Sequence, residues 1–373
     1  MLELGIGGYT RQQVIDVLHG RSGSRGTVKF RYDLLNREEI KIGELAAESG
    51  SVRMDSLAEI KRTARFTITE QEAQDIDWLS DRIRPVFCLQ MPDKNWIEWP
   101  LGIFIPSSPI RKSDGGRIVR EVEAYDTSLI LKEDKFTDRY IIPAGTKYVE
   151  AVADILYGVG IWKVNILDHP GVLSVDREFE IGTAKLTAIN ELLAAINYTS
   201  IWVDENGFLT SKPYQLPSDR EAEYEYRTDD ISIIHPGATE ELDLFSVPNK
   251  WVRYVSNPDV GVVLRSEYTN NLSVSPTSTV RRGRVITDIE AVEDIADQET
   301  LDAYVRRIAY QASQVYGHFE FSTAVMPHHS FYDCLYIEHK GLGVSSKYME
   351  SSWELPLQAD GVMIHRCRKV IRI

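Results

Sequence analysis

The segment IKRTARFTIT, residues 60–69, alternates apolar and polar side chains over most of its length. Ala64, Phe66 and Ile68 fall on one side of an extended chain, and the basic residues and threonines between them fall on the other. Because successive side chains of a β-strand point to opposite faces, this pattern predicts a half-buried strand rather than a helix.

The residues around this segment predict more strands. The same alternation occurs at residues 28–34, and further strand patterns cover residues 83–91, 96–105 and 118–125. The sequence Ser-Asp-Gly-Gly at residues 113–116 is typical of a hairpin turn between the last two strands. Many strands separated by turns favour a β-barrel or a β-sandwich.

The pattern changes from β to mixed α and β near residue 139. Two amphipathic helices are expected, one capped by Thr146 and one opened by Thr183, because apolar residues recur after each at helical spacing. An Asn-Gly pair at residues 206–207 stands between two short apolar strands, which is a strong hairpin signal. Residues 139–217 are therefore predicted to form a compact α+β unit within a β protein.

Beyond this unit the β pattern returns, together with one long helix. Strands are expected at residues 249–255 and 260–267, and Asp297 is placed to cap the helix. The apolar face of that helix comprises Leu301, Val305, Ile308, Ala312 and Val315. The last predicted strands cover residues 318–326, 334–339, 347–357 and 362–373.

Composition argues against several classes of protein. The 373 residues include 42 basic and 56 acidic side chains, a net charge of −14, which argues against a protein that wraps DNA by neutralising phosphates. No apolar run approaches the ~20 residues of a membrane helix, and we expect no signal peptide. Cys88, Cys334 and Cys367 are too widely spaced for a disulfide framework or a zinc pattern, so they are expected to be small buried residues.

Motifs for catalysis and cofactor binding are missing from the sequence. The glycines at residues 5–8 lack dinucleotide-binding spacing, and residues 143–147 hold Gly, Thr and Lys in an order unlike that of a phosphate-binding loop. The acidic runs at residues 176–180 and 229–230 are typical of solvated surfaces, because an acid–base pair needs two carboxyl groups that face each other. We predict no catalytic residue, no cofactor-binding residue, no cofactor and no enzymatic activity.

A histidine pair raises the question of a metal site. His328 and His329 precede Asp333, but adjacent histidines on a strand point to opposite faces. A complete ligand set would need another residue from a distant part of the chain. The candidates are His318, His339 and His365. Loop histidines are the favoured interpretation, and no metal ligand is predicted.

Arg281, Arg282 and Arg284 form the densest basic group of the chain. Solvation of an exposed loop is the simplest interpretation. In an acidic homo-oligomer, ion pairs with carboxylates of a neighbouring subunit are the next alternative. A phosphate contact is the least favoured of the three.

Five segments occur in an order that a known family shares. They are DSLAEIKRTARFTI at residues 55–68, WVDENGFLT at 202–210, PNKWV at 248–252, LDAYV at 301–305 and MPHHSFYDCLYI at 326–337. In this order they resemble the baseplate hub proteins, or tail-tube-like hubs, of tailed phages, prophages and phage-tail-like bacteriocins. The resemblance rests on the order of these segments, which agrees with that of the family along most of the chain.

The resemblance implies a mainly β fold with an α+β insertion, in which two tail-tube-like β-barrels accompany a small α+β domain. Residues 1–138 would form the first barrel, completed by about residues 218–247. Residues 139–217 would form the insertion. Residues 248–373 would form the second barrel, with the long helix at about residues 297–316.

The resemblance also implies a structural function. Three copies would form a homotrimeric ring that joins the tail tube to the tip or spike. The partners would be the tail tube or distal tail protein, the tail spike or tip protein and the tape-measure protein in the lumen, with DNA only in transit and no membrane insertion. Such a protein would be made in the host bacterial cytoplasm and would reside in the virion tail, at the baseplate.

Two other functions stay open at the level of the sequence. A glycan-binding tail-tip module would use Trp96 and Trp99 as a platform for sugar stacking. A tail-associated peptidoglycan hydrolase is less favoured, because no lysozyme or peptidase motif is present. In a ring, by contrast, the tryptophans are candidate anchors of the subunit interface. Those candidates are Trp78, Trp96, Trp99 and Trp251.

Overall fold

The computed structural model describes residues 1–21, 23, 26–70, 76–242, 247–255, 264–292, 294–314 and 317–373. Two sequence predictions, Val315 and the strand start at residues 260–263, lie outside this part of the chain. The α-helices are α1 (Arg11–Leu18), α2 (Ser128–Glu133), α3 (Tyr148–Gly158), α4 (Lys185–Ala195), α5 (Thr279–Arg282) and α6 (Gln298–Ser313). None of these described helices combines the length and apolar character needed to cross a membrane.

A four-stranded antiparallel sheet forms from the N-terminal region. Its strands are β1 (Thr27–Leu35), β2 (Lys41–Leu45), β5 (Arg82–Gln90) and β6 (Trp96–Pro100), in the order β2-β1-β5-β6. Phe87 on β5 is fully buried and meets the rings of Phe30 and Trp99 edge to face. The predicted strand at residues 96–105 is interrupted, because Gly102 adopts a φ of 132° that breaks the extended chain.

The largest sheet contains ten strands and joins both ends of the chain. They are β3 (Ala47–Asp55), β4 (Arg62–Thr69), β7 (Ile105–Asp114), β8 (Arg117–Tyr125), β14 (Tyr224–Arg227), β15 (Thr239–Leu242), β19 (Gly317–Ala324), β20 (Cys334–His339), β21 (Val344–Pro356) and β22 (Val362–Lys369). Eight run in the order β15-β19-β22-β21-β3-β4-β8-β7, and β20 pairs with β21 and β14. Trp353 on β21 lies opposite Met54 on β3, so the N-terminal and C-terminal segments share one sheet.

Strand β4 covers most of the alternating segment at residues 60–69. Ala64, Phe66 and Ile68 are buried in the main core, and Arg65 between them is exposed. The predicted half-buried strand is therefore confirmed. The turn is confirmed as well, because β7 and β8 are joined through Gly115 and Gly116, both with positive φ. The strand that enters it is β7, whereas the predicted strand before the turn ended at residue 105.

The α+β unit has a core of its own. Besides α3 and α4 it contains β9 (Tyr140–Ile142), β10 (Val164–Ile166), β11 (Arg177–Phe179), β12 (Trp202–Val203) and β13 (Leu209–Ser211). Val152, Ile189 and Leu193 are fully buried between its helices and strands. The predicted caps are wrong, because Lys147 and Ala184 occupy the N-cap positions without a side-chain hydrogen bond.

A second, smaller unit carries the long helix. Strands β16 (Lys250–Val255), β17 (Arg265–Thr269) and β18 (Thr287–Val292) form a sheet in the order β17-β16-β18, on which α6 packs. Asp297 accepts a hydrogen bond from the backbone N–H of Thr300 at 2.7 Å, so the predicted cap is confirmed. Leu301 and Val305 are buried against Trp251, as the apolar helix face predicts.

The mainly β fold with a few helices is confirmed. Within the described residues, each sheet follows an open path from one edge strand to another. Strands β14 and β15, from the segment expected to complete the first barrel, pair with β20 and β19. The two closed barrels and the domain boundaries stay predictions.

Gly50 on β3 tests how tightly the ten-stranded sheet is packed. A Cβ at this position would lie 2.6 Å from the carbonyl oxygen of Arg65 on β4, so the backbone would have to move. We expect Gly50→Ala to lower the free energy of unfolding by about 1–3 kcal/mol in urea denaturation. Gly43→Ala on β2 is the matched control, because its Cβ would have no neighbour within 4 Å. Equal stability of the two variants would show that the sheet has room for a side chain at Gly50.

Candidate functional site

The glycine-rich and basic segments lie at the surface. Residues 143–147 lead into α3, and the Asp176 carboxylate accepts a hydrogen bond there from the backbone N–H of Ala144 at 2.8 Å. A carboxylate therefore occupies the helix entrance where an anion would bind. In the basic cluster, Arg281 and Arg284 are exposed, and Arg282 donates to the carbonyl oxygen of Val247 at 3.1 Å.

The three cysteines are buried and unpaired. They lie on separate strands: Cys88 on β5, Cys334 on β20 and Cys367 on β22. Burial raises the pKa of the Cys88 thiol to about 11, so this group is not a thiolate near neutral pH.

Two of the histidines meet a buried carboxylate that the sequence pattern did not indicate. The Nδ1 atoms of His329 and His365 each lie 2.6 Å from one oxygen of Glu350, and all three side chains are almost completely buried. The remaining ring nitrogens face hydroxyl groups. Tyr226 lies 2.6 Å from Nε2 of His329, and Thr323 lies 2.9 Å from Nε2 of His365.

The other candidates for this cluster have different roles. Asp333 lies 3.8 Å from His329, but its carboxylate also lies 2.9 Å from the amino group of Met1. His339 accepts a hydrogen bond from the backbone N–H of Leu342 at 3.2 Å. His318 lies on β19, two strands away from β21, with neither ring nitrogen in the cluster.

Electrostatics keep the carboxylate charged. Burial alone would raise the pKa of Glu350, but the charges and hydrogen bonds of His329 and His365 outweigh that effect and lower it to about 2. Burial also lowers the pKa of His365, opposed by its bond to the carboxylate. Because an ionised carboxylate can only accept hydrogen bonds, both imidazoles donate to it through Nδ1.

His329, Glu350 and His365 are residue types that bind metal ions, and their possible ligand atoms lie within 4.8 Å of one another. The distances favour hydrogen bonds instead. Each Nδ1 lies 2.6 Å from its carboxylate oxygen, whereas two tetrahedral ligands of one Zn²⁺ lie roughly 3.3 Å apart. All four ring nitrogens also have a partner already. The cluster is therefore best described as a buried hydrogen-bond network, which we call the His–Glu network.

His328 lies beside this network without joining it. Both of its ring nitrogens are buried and have no hydrogen-bond partner among the described residues. Its ring packs 4.4 Å from the ring of Tyr224 and 4.6 Å from that of His329. Burial lowers the pKa of His328 well below its usual value, so this histidine is neutral in the folded protein.

Removal of the buried carboxylate should destabilise the protein strongly. Glu350→Ala leaves two buried imidazoles without their acceptor, and we expect the free energy of unfolding to fall by about 3–5 kcal/mol. Chemical denaturation followed by tryptophan fluorescence measures this loss. Glu354→Ala, four residues along the same strand and half-buried, should cost less than about 1 kcal/mol. If the two variants lose equal stability, the network does not have the role described.

The neutral state of His328 predicts a pH dependence of stability. Its pKa in the unfolded chain is about 6.5, so below this pH the unfolded state binds more protons and the free energy of unfolding falls, by up to about 1.4 kcal/mol per pH unit. His328→Phe keeps the ring and removes the buried nitrogens, so it should reduce this fall between about pH 7 and about pH 5. Urea denaturation across that range measures it. An unchanged slope would show that His328 is not responsible.

The tryptophans are mainly core residues. Trp99 is buried and donates its indole N–H to the carbonyl oxygen of Glu3 at 2.9 Å, and Trp251 is fully buried. Trp96 is partly exposed on β6, with the Lys29 ammonium over its ring. The predicted platform of Trp96 and Trp99 is wrong, because the second ring is not accessible.

Three of the sheets end, within the described residues, in strands with a neighbour on one side only. The end strands are β2 and β6 of the four-stranded sheet, β7 and β15 of the ten-stranded sheet, and β17 and β18 of the three-stranded sheet. Several carry exposed isoleucines: Ile42 on β2 is 53% exposed, Ile110 on β7 56% and Ile289 on β18 64%. Such edges offer backbone groups and apolar side chains for pairing with another chain.

Comparison with known proteins finds matches in structure rather than in sequence. No protein-family model matches the chain, and no curated protein matches its sequence. A tail protein from Neisseria meningitidis MC58 superposes with a TM-score of 0.65 at 11% identity, over 91% of this chain and 97% of that one. The 43 kDa tail protein of prophage MuSo2 from Shewanella oneidensis gives a TM-score of 0.61 at 13% identity, over 91% and 98%.

A prophage tail protein from Listeria monocytogenes EGD-e also matches, with a TM-score of 0.59 at 13% identity, over 92% of this chain and 95% of that one. The three matches extend over nearly the whole of each protein. The chain therefore has the fold of phage tail proteins. The resemblance stated from the sequence is confirmed at the level of the fold.

Proposed function

We propose that this chain is a structural hub protein at the baseplate of a phage or phage-derived tail. Three copies would form a ring that joins the tail tube to the tip or spike. The fold carries this proposal, because tail proteins match the chain over more than nine tenths of its length. The protein would be made in the bacterial cytoplasm and reside in the virion tail.

The open sheet edges support assembly into a ring. Exposed isoleucines lie on β2 and β18, and each of these strands ends its sheet within the described residues, so a second copy could cover the apolar surface and the strand edge together. Contacts between two different edges are heterologous. Such contacts close into a ring when the rotation from one copy to the next is a full turn divided by a whole number. Partners at the two faces of the ring would be the tube or distal tail protein and the tip or spike protein.

The charge of the chain is compatible with a lumen that the tape-measure protein and then DNA pass through. A net charge of −14 disfavours adhesion of phosphate to a wall that DNA must leave quickly. No enzymatic step is part of this proposal. The His–Glu network, which joins an acid to two imidazoles, lies in the sheet interior, away from bulk water.

A glycan-binding module at the tail tip is the second candidate, and one observation favours it. Trp162 is 72% exposed and stacks on Tyr157, with ring centroids 4.8 Å apart. One face of this pair could stack on a sugar ring. Binding to purified host cell walls that is lost in Trp162→Ala would favour this function over the hub.

Ring formation can be tested at the edges. Native mass spectrometry of the purified chain should show a three-copy species, and a charge at the β2 edge, Ile42→Asp, should weaken it by about tenfold or more. Leu79→Asp introduces the same charge at a side chain that is 94% exposed outside the strands, and it should have no effect. A one-copy species at every concentration, or a trimer equally sensitive to both variants, would contradict the proposal.

A further inference from the structure

A cavity of about 290 Å³ lies where the α+β unit, helix α6 and the ten-stranded sheet meet. The α+β unit contributes Thr199 and Ser200, and the helix region contributes Arg307 and Gln314. The sheet contributes Ser351 and Arg368 from β21 and β22. The cavity is thus built from three parts of the chain that are far apart in sequence.

The charged residues that line this cavity are all basic. Two guanidinium groups, those of Arg307 and Arg368, line it, and none of the described lining residues is acidic. This is unusual in a chain with 56 acidic and 42 basic side chains. The Arg307 guanidinium donates to the carbonyl oxygen of Tyr198 at 2.6 Å and packs 4.6 Å from the ring of Tyr214. Both contacts orient the guanidinium group without neutralising its charge.

Two buried donors at this cavity have no acceptor within the described part of the chain. Nε of Arg368 is buried without a hydrogen-bond partner there. Gln314 is 1% exposed, and its Oε1 accepts from the Tyr332 hydroxyl at 3.0 Å. Its Nε2 interacts with the Tyr310 hydroxyl but makes no well-aligned hydrogen bond to a described residue. Buried donors are nearly always satisfied in folded proteins, so an unpaired pair beside a cavity indicates a missing acceptor.

Three hydroxyl groups around the cavity already donate to backbone carbonyl oxygens and do not compete for a ligand's oxygens. Ser351 donates to the carbonyl oxygen of Arg366 at 2.9 Å, and Ser56 donates to that of Ser351 at 2.8 Å. Thr199 lies 3.2 Å from the carbonyl oxygen of Lys212. The unpaired groups are then the Arg368 Nε, the Gln314 amide and the hydroxyl of Tyr214, which also lines the cavity. All three can donate a hydrogen bond to a bound anion.

We infer that this cavity binds an oxyanion, a carboxylate or phosphate group, held by Arg307, Arg368 and the side-chain amide of Gln314. Planar guanidinium groups match the oxygens of carboxylates and phosphates. The volume is at the small end of ligand pockets, so it fits a single anionic group or one acidic side chain of a partner protein rather than a polymer. A bound oxyanion would tie the α+β unit to the sheet, and this inference does not depend on ring formation.

Calorimetric titration of the full chain with inorganic phosphate, and separately with acetate, tests the inference at constant ionic strength set by sodium chloride. We expect saturable binding of at least one anion. Arg368→Gln removes one guanidinium group and its unpaired Nε, and should weaken binding by about tenfold or more. Arg366→Gln is the matched control, because Arg366 lies on the same strand but pairs with Glu320 at the surface, 2.8 Å away.

Preference for acetate would indicate a carboxylate from a protein, and preference for phosphate would indicate a phosphoryl group. Gln314→Met provides a second variant, expected to weaken binding without a change of charge. Absence of binding by either anion, or equal affinity of the wild-type chain, Arg368→Gln and Arg366→Gln, would overturn the inference. So would the same heat on titration with chloride alone.

Discussion

The Glu350 carboxylate is buried within strand β21, and the structure around it keeps that charge satisfied. A buried carboxylate without partners costs several kcal/mol, so each of its oxygens requires a donor. His329 provides one from the loop before β20, and His365 provides the other from β22. Tyr226 on β14 and Thr323 on β19 bind the far sides of these imidazoles. Five segments must therefore be in register before the charge is accommodated.

The position of this carboxylate matters because β21 changes its partner there. Residues up to Met349 pair with β20, and residues from Ser352 pair with β3. Between them, the pairing with β22 shifts its register at a β-bulge. A slip of one residue would turn the Glu350 side chain to the opposite face of the sheet and leave two imidazoles unpaired. The network thus specifies the point at which the N-terminal and C-terminal segments merge into one sheet.

The sequence predicts individual strands well but not their partners. Alternation of Ala64, Phe66 and Ile68 identifies a half-buried strand, because the period of two depends on that strand alone. Pairing of β14 with β20 depends on residues more than a hundred positions apart, for which no local pattern exists. The role of Glu350 could not be predicted for a related reason: a single charged residue in an alternating strand is normally solvent-facing. Of the three distant histidines that a metal site at His329 would have needed, His365 is the one that comes close, and a carboxylate joins the two rings.

Assembly through sheet edges would require both a fixed arrangement of the buried strands and exposed strands at the ends of the sheets. If the chain assembles through its sheet edges, as proposed, isoleucines such as Ile42 and Ile289 have to stay exposed on the single subunit. These same features promote uncontrolled edge-to-edge association. A net charge of −14 opposes random encounters between copies. In the proposed ring, a rigid interior would fix the angle between the edges and so favour the closing arrangement. The buried His–Glu network contributes to this rigidity, because its hydrogen bonds are lost when the strands shift.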